Sequence, residues 1–302
     1  MFFAWVVGLA LVRLLVAVVV VPREVAGVLT LVTSLVFVGG PIVALYIGGG
    51  KQWSGKSAGL VFGLGAVLHV VGFALARPAH GEGVVGVLGA MTMQAGVLIW
   101  CLGLGGLVSL ALKEKALLLP VALFLAGFDV FLVATPFAPT ARIVENNPEI
   151  LRSMAASVPK VNTVQQGEQP QGARIVDLGL VGPADLAFMG MFFACLHKFQ
   201  MQARKTAVWL APVMALYFLL AISPFGIGML PAMVPIGATV LAVNWRGFGL
   251  QGQERAATAM VAVISVALAA YGIYQRINYK PKAQPVEPSQ SAPAPESGAP
   301  AG

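Results

Sequence analysis

Long runs of apolar residues, separated by short polar breaks, are the feature that most constrains how this chain folds. Hydrophobic residues make up 58% of the 302 residues, and charged residues only 10%. A helix needs about 20 apolar residues to cross the ~30 Å hydrocarbon core of a bilayer, and several runs reach that length. The sequence therefore predicts an all-α, polytopic integral membrane protein with about nine transmembrane helices. The runs lie at roughly 2–21, 27–48, 58–76, 84–112, 116–136, 179–197, 207–223, 229–245 and 257–274.

The amino-terminal run, "MFFAWVVGLALVRLLVAVVVV", has neither the basic start nor the cleavage site of a signal peptide, so we expect a retained helix. Arg13 within it is expected to snorkel to the membrane surface or to face the helix bundle. The Lys and Arg residues divide nine against nine between alternate sides of the predicted bundle, so their distribution favours neither orientation. The predicted location is a membrane that the chain crosses several times, the cell or inner membrane if the chain is prokaryotic.

Three features exclude other classes of function. The net charge of +7 is scattered over loops without a contiguous basic patch, which excludes a nucleic-acid partner. The segment "GKQWSGKS", residues 50–57, has the spacing of a phosphate-binding P-loop. It joins two apolar runs rather than the strand and helix of an α/β domain, so we expect no nucleotide. Cys101 and Cys195 both lie in apolar runs, where cysteine behaves as a small hydrophobe, so we expect neither a disulfide nor a metal site.

Two segments are predicted to lie outside the membrane. The carboxy-terminal tail, residues 275–302, is rich in Pro, Ala, Ser and Gly, a composition typical of a disordered segment. The loop at 137–178 is longer than a simple connection requires, which makes it a candidate functional segment. Within this loop "NNPEILRSMAAS" is predicted to be a short helix capped by Asn147, and "ARIVDLGL" is predicted to be extended.

Two aspartates stand inside the apolar runs. Asp129 and Asp185 belong to consecutive predicted helices joined by the long loop, and antiparallel neighbours can bring such side chains face to face. An ionised carboxylate in hydrocarbon costs several kcal/mol unless it is solvated, paired or neutral, so each is a candidate functional group. Arg13 and His69, the cations within apolar runs, belong to distant helices.

This pair of carboxylates is compatible with three kinds of role. Two facing aspartates without a cation share one proton, as in an aspartic protease, where the ionised member activates a water and the protonated member polarises a peptide carbonyl. Paired intramembrane carboxylates also bind cations or relay protons in transporters. A third reading is purely structural, with a protonated aspartate bonding between helices. The residues alone leave these alternatives open.

The sequence around the two aspartates resembles the presenilin and signal peptide peptidase superfamily of GxGD intramembrane aspartyl proteases, over residues of about 120–245. Three motifs carry the resemblance in the family's order. Phe128-Asp129 stands where the family usually has Tyr-Asp, and "GPAD", residues 182–185, stands in the place of Gly-x-Gly-Asp. The third motif, "LPAMVPIGATV" at Leu230 to Val240, is similar to the family's Pro-Ala-Leu segment.

The resemblance implies a presenilin-like core and an endopeptidase that cleaves peptide bonds within transmembrane segments, with Asp129 and Asp185 as the catalytic dyad around one water. It implies transmembrane or signal-peptide-like protein substrates, membrane lipid as surroundings, and no metal or organic cofactor. Prolines 231 and 235 are expected to keep "PAMVP" partly extended, so that its backbone can pair with an unwound substrate. The expected substrate-binding residues are Phe128, Gly182, Pro183, Pro231, Ala232 and Met233.

The chain departs from the family at several places. Ala184 replaces the second glycine of Gly-x-Gly-Asp, Met233 replaces leucine, and four rather than five helices precede the Asp129 helix. A relative that has lost its activity is therefore a further alternative. Asp177, in "VDLGL", is the rival of Asp185 for the second carboxylate. The expected organisation is amino-terminal helices at 1–112, a catalytic core at 113–245, an extra helix at 246–274, and the tail at 275–302.

Overall fold

The computed structural model describes residues 1–77, 83–135, 153–163, 176–223 and 230–279. These ranges contain nine α-helices and four short strands. The elements are α1 Phe2–Val18, β1 Val20–Val21, α2 Arg23–Gly49, α3 Gly55–Ala76, α4 Gly83–Ala111, α5 Leu118–Ala134, β2 Ala156–Lys160, β3 Asn162–Thr163, β4 Val176–Val181, α6 Pro183–Lys198, α7 Ala203–Ala221, α8 Met233–Asn244 and α9 Gly252–Asn278.

Six of the described helices are long and apolar enough to cross a membrane, which confirms a helical, multi-pass membrane protein by length and composition. They are α2, α3, α4, α7, α9 and α5 with the 3-10 turn that precedes it. The expectation of about nine transmembrane helices is not met in the described residues, because α1, α6 and α8 have only 17, 16 and 12 residues. A helix of 12 residues is about 18 Å long, well short of the bilayer core.

The bundle is organised around α6, which is almost entirely buried after its first turn and packs on α2 and α4. Gly105 of α4 permits this close approach, since a Cβ there would lie 2.5 Å from the Ala187 carbonyl oxygen. Helices in lipid gain stability from such tight packing of small residues, because apolar surface alone does not drive their association. A second group forms around α5, which packs on α8 and α9.

The turn between α2 and α3 explains the P-loop-like spacing at residues 50–57. Ser54 and Ser57 form a reciprocal capping box at the start of α3, in which each side chain bonds to the backbone N–H of the other. The two serines therefore satisfy N–H groups that a phosphate would otherwise have to reach.

An antiparallel pair of strands leads directly into α6. β2 and β4 pair from Ala156 opposite Val181 to Lys160 opposite Val176, with a register shift between Val158 and Pro159. The predicted extended conformation of "ARIVDLGL" is confirmed where the structure describes it. The predicted span at 179–197 is corrected, because its first residues belong to β4.

The remaining predictions for the loop and the tail are tested only in part. Most of the predicted short helix in "NNPEILRSMAAS" lies outside the described residues. Ser153 and Met154 are helical as predicted, whereas the last two residues, Ala156 and Ser157, form the start of β2. The predicted disorder of the tail is wrong for its first residues, because α9 continues to Asn278. Residues 280–302 lie outside the described residues.

Buried polar side chains from two helices hold the β2 strand. The Arg13 guanidinium of α1 donates hydrogen bonds to the hydroxyl and the carbonyl oxygen of Ser157. Gln94 of α4 donates to the Ala155 carbonyl at 2.9 Å and accepts from the Ser157 N–H at 3.0 Å. Of the two expectations for Arg13, facing the bundle is the correct one, since the residue is only 4% exposed.

We expect Arg13→Met to destabilise the fold by about 2 kcal/mol or more, because hydrogen bonds from a charged donor contribute that much and the Ser157 carbonyl would lose this partner. Arg23→Met removes an exposed arginine at the start of α2 and is the matched control. Unfolding in mixed detergent micelles measures both variants. Equal stability of the two would contradict a structural role for the contact between Arg13 and Ser157.

Candidate functional site

Asp129 lies near the carboxyl end of α5, and its half-buried side chain reaches the beginning of α8. Its Oδ2 accepts a hydrogen bond from the Met233 backbone N–H at 2.8 Å. Met233 is the first residue of α8, so its N–H has no acceptor within the helix. Asp129 therefore caps α8 from a neighbouring helix, where the helix dipole also favours negative charge.

Asp185 lies in the first turn of α6, where Gly182 is the N-cap and Pro183 the first helical residue. The half-buried Asp185 side chain lies beside the Gly182 backbone. Asp185 is the third residue of α6, the position from which an acidic side chain can reach back toward the N-cap. A Cβ at Gly182 would lie 2.9 Å from Asp185 Oδ2, so glycine leaves the room that the carboxylate occupies.

The structure brings the two predicted carboxylates within electrostatic range of each other. They reach this position through α8, which packs extensively on α5 and also contacts α6. Two cations of the bundle are engaged elsewhere. Arg13 binds Ser157, and the Lys198 Nζ at the other end of α6 donates to the carbonyl oxygens of Ser109 and Leu112.

Tyr217 of α7 completes the cluster and is the residue that sequence reasoning missed. Its hydroxyl donates to the Pro231 carbonyl oxygen at 2.7 Å, and the charges of Asp129 and Asp185 both act on it. The sequence feature that could have identified it is a tyrosine within the apolar run at 207–223, because a tyrosine hydroxyl among apolar residues needs a hydrogen-bond partner.

Five of the six predicted substrate-binding residues lie at the helix starts that the carboxylates occupy. They are Gly182, Pro183, Pro231, Ala232 and Met233.

Phe128 is the exception among these predicted residues. It is 37% exposed and stacks between Phe124 and Phe131 on the outer face of α5. Successive residues of a helix point about 100° apart, so the neighbour of an inward carboxylate lies on another face.

The expectation that "PAMVP" is partly extended is wrong for most of the segment. Ala232 has helical backbone angles, and α8 begins at Met233 with Pro235 in its first turn. Proline is tolerated there because the first N–H groups of a helix have no intrahelical acceptor. The segment therefore presents a helix start to Asp129, where an extended edge was expected.

Asp177, the rival carboxylate, lies elsewhere. It is exposed on β4, where it pairs in register with Pro159, and its charge acts on Arg13. The carboxylate within electrostatic range of Asp129 is therefore that of Asp185, whereas Asp177 lies near Arg13.

Comparison of this chain with known protein families, with characterised proteins and with solved structures finds no match. The resemblance to presenilins and signal peptide peptidases therefore continues to depend on the three sequence motifs alone.

The capping role of Asp129 is open to a direct test of stability. We expect Asp129→Ala to lower the free energy of unfolding by about 1 kcal/mol, as loss of a helix cap does, and Asp129→Asn to lower it much less because the amide oxygen still accepts. Unfolding in mixed micelles provides the measurement, and the same two substitutions at exposed Asp177 provide the control. Equal losses for the alanine and asparagine variants would show that the Met233 contact does not stabilise the fold.

Proposed function

We propose that this chain is an intramembrane aspartyl endopeptidase that hydrolyses peptide bonds within transmembrane segments by means of Asp129, Asp185 and one water. The observation that carries the proposal is that Asp129 and Asp185 lie within electrostatic range of each other, each at the start of a helix inside an apolar bundle. The proposal includes a presenilin-like core at residues 113–245, with α9 as an additional helix against α5. Its substrates are transmembrane or signal-peptide-like proteins that enter from the lipid.

The pair acts as one unit that holds one proton, because two adjacent carboxylates do not both ionise without a counterion. The ionised carboxylate takes a proton from the water while the water oxygen forms a bond to the scissile carbonyl carbon. The protonated carboxyl gives its proton to the carbonyl oxygen, which produces a neutral tetrahedral diol. When the C–N bond breaks, the dyad gives its proton to the leaving nitrogen and takes one from a diol hydroxyl, whose oxygen becomes the new carbonyl of the carboxylic acid product.

Water needs a polar path to such a site, and the two helix starts offer one. Around Gly182 and Pro183, and again around Pro231 and Ala232, the chain is at the beginning of a helix, where backbone groups lack intrahelical partners. Backbone of this kind within a membrane bundle is tolerated where protein or water satisfies it. Both carboxylates are also only half buried, which leaves them reachable.

The proposal predicts that Asp129→Asn and Asp185→Asn each reduce cleavage of a transmembrane reporter by at least about a hundredfold, because a positioned acid or base contributes that much. Asparagine is chosen because it has nearly the size of aspartate and, at position 129, can still accept the hydrogen bond from the Met233 N–H. Asp177→Asn, a matched change at an exposed strand position, should cleave normally. Cleavage is measured with purified full-length protein in liposomes.

Other outcomes point to different functions. Retained cleavage in either dyad variant would remove that residue from the mechanism. A wild-type protein that never cleaves but shows ion-dependent or proton-dependent flux, abolished by the same substitutions, would identify a transporter. A wild-type protein with neither activity would identify an inactive relative.

A second prediction concerns the space beside Asp185. We expect Gly182→Ala to lower kcat by roughly tenfold or more. The added methyl group displaces the Asp185 carboxylate, and the reaction rate falls steeply when a catalytic group is misplaced. Gly59→Ala is the control, because a Cβ at that exposed position of α3 meets nothing within 4 Å. Reporter cleavage is compared with the unfolding midpoint of each variant. Full activity of Gly182→Ala would mean that the carboxylate position beside Gly182 is not the reactive one.

A further inference from the structure

We infer that Tyr217 is a positioning residue of this site, whose hydroxyl fixes the Pro-Ala-Met turn and through it the orientation of the Asp129 carboxylate. The inference rests on the proposed function. It begins from two hydrogen bonds to the same turn, one from the Tyr217 hydroxyl and one to the Asp129 carboxylate.

The contact that Tyr217 makes is with the backbone of the turn, not with a carboxylate. Its half-buried side chain extends from α7, which packs on α8, and its hydroxyl donates to the Pro231 carbonyl oxygen at 2.7 Å. The same oxygen accepts from the Val234 N–H at 3.3 Å. Pro231 is therefore held at the point where the chain turns into α8.

Two residues later the same turn holds Asp129. The Met233 N–H donates to Asp129 Oδ2, so that Tyr217 anchors one end of a segment of two peptide units and Asp129 is bound at its other end. Rotation of the Pro231 carbonyl would turn the Met233 N–H with it, because the peptide units are planar and only a few torsions separate them. The direction in which Asp129 presents its other oxygen thus depends on the tyrosine hydroxyl.

A single-atom change isolates this effect. Tyr217→Phe retains the ring and its packing and removes only the donor, while the Val234 N–H still serves the Pro231 carbonyl. The protein is therefore expected to fold. Tyr274→Phe removes the same atom from a residue of α9 that is 63% exposed and serves as the matched control.

The test begins with wild-type protein and the Asp129→Asn variant in liposomes, which establishes cleavage and its dependence on the dyad. We then expect Tyr217→Phe to lower kcat by roughly ten- to hundredfold, because small misplacements of a reacting group are costly in rate. KM should stay within about twofold, because the residue does not contact substrate. Amide exchange at Met233, read from peptides covering 230–236, should accelerate in Tyr217→Phe alone.

Each other outcome overturns the inference in a distinguishable way. Unchanged kcat and unchanged Met233 exchange in Tyr217→Phe would remove the tyrosine from the site and leave the proposed protease intact. A raised KM with unchanged kcat would make Tyr217 a substrate contact instead of a positioning residue. Absence of cleavage by the wild type would refute the proposed function itself, and the positioning role would fall with it.

Discussion

The hydrogen bond from the Met233 N–H to Asp129 is the interaction on which the site depends. A short helix that begins inside an apolar bundle exposes N–H groups that lipid does not satisfy. An aspartate in the same bundle has a charge that lipid does not solvate. The hydrogen bond from the Met233 N–H to Asp129 gives the helix start an acceptor and gives the carboxylate a donor. The dipole of α8 stabilises the negative charge further. Asp185 lies in the first turn of α6, beside Gly182, where the dipole of that helix likewise favours negative charge.

In the proposed protease, this arrangement lets Asp129 serve structure and chemistry at once. A carboxylate has two oxygens, and a capping hydrogen bond occupies only one of them. The second oxygen remains for a proton or a water, and the bound one fixes its direction. The capping bond also restrains the Asp129 carboxylate, and such preorganisation is what the proposed catalysis requires. Stability and reactivity are therefore linked through the same atoms, so asparagine, and not alanine, separates the two contributions at Asp129.

Much of the fold follows from the lengths of the apolar runs. Each run corresponds to one of the nine described helices, and most helix ends lie within a few residues of the ends of the run. Run length does not reveal where a helix begins within a run, so the predicted spans at 179–197 and 229–245 start before α6 and α8 do. Pro235 was misleading because proline breaks helix interiors but favours first turns. The two aspartates were predictable from their cost in hydrocarbon, whereas Tyr217 depends on a contact between α7 and the turn before α8 that spacing does not encode.

The same geometry bears on Ala184, which stands where the proposed family has the second glycine of Gly-x-Gly-Asp. Gly182 is the N-cap and lies against the carboxylate, so a side chain there would enter the site. Ala184 is the second residue of α6 and is exposed, so its methyl group points away from the buried side of the helix. Alanine also favours the helical conformation that this position adopts, which glycine does not. The steric demand of the motif in this chain thus lies at its first glycine, and the substitution at 184 reinforces the first turn that holds Asp185.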